Sequence, residues 1–134
     1  MFEKFSFSLK QIQKYYQAAV RDFKIAQEAK IPEVTFRFCY DALLKLAITV
    51  CAENDLRVKA HKGHHFELIQ KLSFYLTDKE IEVLGNEMRS KRNWDLYDGG
   101  VLISVKETLG YVEWVGQIFK KAEKYFNRKR PKLM

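Results

Sequence analysis

Apolar residues at the start of the chain recur three and four apart. Leu9, Ile12, Tyr16, Ala19, Phe23 and Ala26 form one stripe, the pattern of an amphipathic helix packed on one side. Ser8 with Gln11 reads as a capping box ahead of it, and Phe7 with Ile12 as the hydrophobic staple. Ile31-Pro32 ends the stripe, because a residue before proline is driven out of the helical region. From Glu33 to Asn54 apolar residues fall on nearly every face, which predicts a helix buried within a bundle or shared with an oligomeric interface. Arg37, Asp41 and Lys45, one turn apart, read there as a charged row at the bundle surface.

Residues 54–63 read as a polar connection. A short helix follows from His65 to Tyr75, with Phe66, Ile69, Leu72 and Leu76 inward. Thr77 and Glu80 form a second capping box, with Leu76 and Ile81 as its staple, opening a helix that runs to about Tyr97. Asp98-Gly99-Gly100 supplies a left-handed stop. The last helix is predicted from Val101 to about Asn127, with Val105, Leu109, Val112, Val115, Phe119, Ala122 and Phe126 inward. Gly110 and Gly116 inside it each cost about 1 kcal/mol against alanine, so a close helix approach is expected at both. The expectation is an all-α fold: an antiparallel bundle of four long helices plus one short helix. It forms one domain over residues 1–127, followed by a basic tail over 128–134.

Composition narrows the setting. Cys39 and Cys51 are twelve residues apart on one helix, about 18 Å, too far to bridge within it. They read as buried free thiols in a reducing compartment, which with the lack of a signal-like or membrane-spanning run predicts a cytosolic protein. The net charge of +7 is uneven. Residues 120–134 carry +6 and residues 1–119 only +1, so the basicity belongs to an arm suited to phosphate contacts, with Lys120, Lys124, Arg128, Lys129 and Arg130 as nucleic-acid-binding candidates. His61, His64 and His65 invite a metal reading, but no matching second cluster exists, and capping or RNA contact fits them better; neither a metal nor a cofactor is expected.

The stretch RSKRNWDLYDGG, residues 89–100, breaks the scaffold logic. On a helical wheel Arg92 lies about 40° from Met88, which sets a guanidinium at the edge of the apolar face. Arg89, Asn93 and Tyr97 run beside it at a spacing of four, so Arg92, Asn93 and Tyr97 can converge on one patch. Lys91 and Asp95 read as a surface pair and Trp94 as packing. Equally open is a structural role, Arg92 pairing with a bundle carboxylate and Tyr97 closing the helix end.

This arrangement resembles the HEPN family of small helical domains, whose motif is Arg-polar-x-x-x-His near the end of a bundle helix. Arg92 and Asn93 match its first positions and Tyr97 stands in place of the histidine. The buried helix YDALLKLAITVCAENDL and the segment GHHFELIQKL fit on either side, and the resemblance covers most of residues 8–127. It implies a homodimer whose two motifs face each other, with active members acting as metal-independent endoribonucleases. These are often toxins with a cognate antitoxin, or partners of a minimal nucleotidyltransferase. By that resemblance Arg92, Asn93 and Tyr97 are the catalytic candidates; Arg89, in the polar row beside Arg92, is a candidate for RNA binding. Tyrosine, with a pKa of about 10, is a weak base at neutral pH, so His64 or His65 is a candidate for the missing imidazole. The nucleotidyltransferase-linked subgroup carries a tyrosine two places after the histidine, where Gly99 stands in this chain. Three readings of function remain: an RNA-cleaving enzyme, an inactive module that binds RNA or a nucleotide, and a purely structural helical partner.

Overall fold

The computed structural model describes residues 2–59, 63–97 and 103–129, and within them every side chain except those of residues 94–97. The described chain is largely helical. Its five helices are α1 (Leu9–Glu28), α2 (Pro32–Glu53), α3 (His64–Leu76), α4 (Lys79–Tyr97) and α5 (Val105–Lys129). No helix among the described residues is long and apolar enough to cross a membrane.

The helix α2 is apolar on every side because it has neighbours on every side: α1, α3, α4 and α5 all pack against it. Cys39, Leu43, Leu46, Ala47 and Val50 are fully buried along its length. Both cysteines are free, and burial pushes each thiol pKa up to about 12, so they pack as small apolar groups. Pro32 occupies the first turn of α2, where its missing N–H costs nothing. The capping box at the start of α1 is formed as expected, Ser8 accepting from the Gln11 N–H and Gln11 from the Ser8 N–H. The helices α1 and α5 meet through aromatic rings, Phe23 stacked on Phe119 at 4.9 Å and Tyr16 edge-on to Phe126 at 5.5 Å. A Cβ at Gly116 would make ordinary van der Waals contact with the Phe23 ring at 3.4 Å, so this approach does not require the glycine.

Several sequence expectations are corrected. The segment read as a polar connection contains a strand, β2 (Leu56–Val58), paired antiparallel with β1 (Phe2–Lys4) in the register Glu3 opposite Arg57. An Arg57–Glu3 ion pair and the Arg57 guanidinium 4.4 Å over the Phe5 ring tie the N-terminus down there. Thr77 closes α3 in a left-handed conformation (φ 53°) instead of opening α4. Asp78 caps α4 through the Glu80 N–H, while its own N–H returns to the Ser73 carbonyl. The helix α5 begins at Val105 and not Val101, because Ser104 and Glu107 make a reciprocal capping box. Its inward face is also rotated near the start: Thr108, Tyr111 and Trp114 are buried, whereas Val105 and Leu109 are each 62% exposed. Large aromatic groups win the core over smaller aliphatic ones because they bury more apolar area. Phe66, expected inward on α3, is 38% exposed.

The glycines also differ from expectation. Nothing lies within 4 Å of a Cβ built at Gly110, so no close approach explains it. At Gly85 a Cβ would meet Ile69 Cγ2 at 2.7 Å, which makes this the contact that lets α4 lie against α3.

Candidate functional site

The close fit at Gly85 matters because it fixes α4 beside the first turns of α3. Three elements then converge. The third turn of α2 carries Tyr40 and Asp41, the first turn of α3 carries His64 and His65, and the second half of α4 carries Arg89 and Arg92. Tyr40 is 1% exposed, and its hydroxyl lies 3.2 Å from His65 Nδ1. Burial drives the Tyr40 pKa well above its ordinary value, so the phenol stays protonated. His65 moves the other way. Burial, then His64, then Arg89 and Arg92 lower its pKa, and the imidazole is neutral at neutral pH. The His64 and His65 rings meet edge to face with centroids 4.4 Å apart.

Arg89 donates from Nε to Asn86 Oδ1 at 3.1 Å, and its guanidinium lies 5.7 Å from the Phe66 ring centroid. That contact accounts for the partly exposed Phe66: the ring forms a platform for a cation. Arg92 is half-buried. Its Nη1 is fully buried and has no hydrogen-bond partner among the described residues. A buried N–H of a guanidinium without an acceptor costs free energy, so this group calls for an anionic or polar partner. Asp41 does not complete an ion pair with it. Burial raises the Asp41 carboxyl pKa, and Arg92 is the largest influence in the opposite direction.

Asn93 is exposed, so Arg92 and Asn93 point to different environments. Tyr97 is the final residue of α4, and its side chain falls outside the described residues with those of Trp94 and Asp95. His61, Asp98, Gly99, Gly100 and Arg130 lie outside them altogether. Lys91, expected to pair with Asp95, reaches Glu107 on α5 at 3.3 Å, and Tyr111 donates to Glu87; together they tie α4 to α5. The expected row Arg37–Asp41–Lys45 is broken by a longer-range partner. Lys45 Nζ lies 2.6 Å from Asp22 of α1, a carboxylate that is 2% exposed.

The basic candidates on α5 occupy another part of the molecule. Lys120, Lys124, Arg128 and Lys129 are all exposed, and α5 continues through Arg128 and Lys129, past the boundary expected for the tail. Sequence reasoning missed the pairing of Tyr40 with His65 and the place of Asp41 beside it. Their signal was present as polar, chemistry-bearing residues in an otherwise apolar helix, but only the packing of α3 shows which histidine they meet.

No protein-family model matches the chain, and comparisons with curated proteins and with solved structures find no similar one.

Proposed function

We propose that the protein is a HEPN-like antiparallel helical bundle, dimeric and directed at RNA, that cleaves phosphodiester bonds at the cluster of Tyr40, His65, Arg89 and Arg92. The observation that carries this reading is a neutral imidazole, held by a buried phenol, beside two arginines of which one has a buried N–H without an acceptor. Arginines grip phosphate oxygens through paired N–H groups and stabilise charge developing on them. With Nδ1–H donated to the phenol oxygen, His65 Nε2 is a free lone pair able to take the proton of an RNA 2′-hydroxyl. The 2′-oxygen then attacks phosphorus, the bond to the 5′-oxygen breaks, and that oxygen leaves with a proton from solvent, yielding a 2′,3′-cyclic phosphate and a 5′-hydroxyl. His65 thereby supplies the imidazole that Tyr97 cannot, and Asn93 and Tyr97 contact the RNA outside the reacting centre.

The dimer brings a second copy of the arginines to the same phosphate. Exposed Val105 and Leu109 on α5, with Ile31 and Val34 at the α1–α2 turn, offer it an apolar surface. Lys120, Lys124, Arg128, Lys129 and Arg130 then hold flanking backbone phosphates. The cellular setting that follows from the family resemblance is cytoplasmic, with an antitoxin or a minimal nucleotidyltransferase as partner. A second reading, an inactive RNA- or nucleotide-binding module, is favoured by the tyrosine at position 97.

Incubation of the purified protein with RNA in EDTA separates the two. Cleavage by the wild type that is lost in Arg92→Ala and His65→Gln supports the enzyme. Salt-sensitive binding without cleavage supports the module, and no interaction with RNA rejects both.

A further inference from the structure

Beside the arginine cluster lies a cavity of about 240 Å³, lined by Asp41, Leu44, Lys45, Ile48, Val58, His64, His65 and Leu68. Its lining mixes aliphatic and polar side chains, the construction typical of small-molecule sites, but its volume is below the roughly 300 Å³ at which pockets for drug-sized ligands begin. A single flat heterocycle suits that space. The lining sets two opposite charges one helical turn apart on α2, the Asp41 carboxylate and the Lys45 ammonium. Asp22, buried in α1, grips Lys45 Nζ at 2.6 Å and so anchors the ammonium, leaving its other N–H groups to donate. The carboxylate only accepts, at two adjacent oxygens, and the ammonium only donates.

We propose that this cavity selects a guanine base, resting on the reading that the adjoining arginines bind an RNA phosphate. Guanine presents along one edge an acceptor, O6, followed by two donors, N1–H and the N2 amine. That order is the complement of one ammonium and two carboxylate oxygens. Adenine, with a donor amine beside an unprotonated ring nitrogen, places its donor against Lys45. Cytosine and uracil each offer Asp41 one donor at most, next to a ring nitrogen lone pair in cytosine and a carbonyl in uracil, either of which repels the carboxylate. The base lies on Leu44, Ile48 and Leu68, and the imidazole of His64 or His65 covers its face, as aromatic side chains do for unstacked RNA bases. His65 belongs to both compartments, which places the base next to the phosphate that the arginines hold. Asp22 is a positioning residue, acting through Lys45.

The test is calorimetric titration of the full chain with the 3′-monophosphates of guanosine, inosine, adenosine, cytidine and uridine. Guanosine 3′-monophosphate is expected to bind about 5- to 150-fold more tightly than the adenosine, cytidine and uridine compounds, the range of one good bidentate base contact. Inosine, lacking the N2 amine, falls between. Asp41→Asn removes the preference while inorganic phosphate still binds, and Asp22→Asn weakens it through Lys45. Equal affinity for all five compounds, with inorganic phosphate competing, overturns guanine selection and leaves the phosphate site standing. No binding of any nucleotide, together with no binding of RNA, overturns the underlying reading as well. The wild-type comparison decides the matter even where a variant fails to fold.

Discussion

Two ends of the molecule carry basic side chains, and they are built differently. Along α2 they are separated by the distance from Tyr40 to Asn54, about 21 Å at the helical rise. At the Asn54 end, Tyr125 accepts from Asn54 Nδ2 at 2.7 Å, Lys121 pairs with Asp78, and Lys120, Lys124 and Arg128 stand in solvent. At the Tyr40 end Arg89 and Arg92 are both half-buried, and Arg92 holds an unsatisfied N–H next to a neutral histidine. Charge count favours the first end and chemistry the second. Exposed lysines interact weakly and are screened by salt, whereas a partly desolvated guanidinium acts strongly on whatever anion reaches it. On the proposed function the two ends divide the work, one gathering RNA and the other acting on it.

That division is most exposed to test at Arg92. Arg92→Ala should reduce RNA cleavage by about a hundred- to a thousandfold, the usual cost of losing a group that stabilises developing charge. Lys120→Ala with Lys124→Ala should leave the single-turnover rate at saturation intact. Those two substitutions should instead lower affinity and flatten the salt dependence, by about one unit of slope for each phosphate no longer neutralised. Salt-titrated binding and single-turnover kinetics on the same variants would distinguish the two ends, and a uniform loss of rate in both would merge them.

The pH profile separates the ends by a second criterion. The folded His65 has a lowered pKa, so its base form is present throughout the neutral range, and the rate should fall only on the acid side, below the ordinary histidine value of about 6.5. Stability follows the same sign. The native state resists protonation of His65, so its contribution is complete above about 6.5 and is lost as the pH falls toward the lowered folded value. The acid limb of the rate is read by kinetics on the wild type, and in His65→Gln that part of the acid destabilisation should disappear, as read by thermal melts between pH 5 and 8.

Two glycine variants provide the smallest effects and test the scaffold alone. Gly85→Ala should destabilise by about 1–3 kcal/mol, because the added methyl meets Ile69 across the α3–α4 packing that brings His65 to the arginines. Gly110→Ala, with open space around it, should stabilise by about 1 kcal/mol. Denaturant titration of the pair reads both signs.

How far these features were legible in the sequence depended on whether they were local. Helix periodicity, the Ser8–Gln11 cap and the buried thiols follow from near neighbours, and the helical class follows from them. The Ser104–Glu107 cap was equally local and equally present in the run SVKE; the glycine stop ahead of it simply drew the boundary too early. Thr77 failed for a different reason: Thr77 and Asp78 can both cap, and the left-handed turn that closes α3 takes Thr77 first. The wheel position of Arg92 correctly marked a guanidinium at the edge of the core. Its surroundings were not legible, because Tyr40 and His65 are 25 residues apart and meet only through packing. Lys45 was misassigned on the same ground, since Asp22 lies on another helix.

The role of His65 can be settled by titrating its imidazole by NMR, with and without a non-cleavable dinucleotide. In the free protein its pKa should lie below about 6.5 and rise when the dinucleotide's phosphate settles between the imidazole and the arginines, with that rise abolished in Arg92→Ala. A His65 that titrates at its ordinary value and does not respond to the dinucleotide would rule out a phosphate site at this cluster.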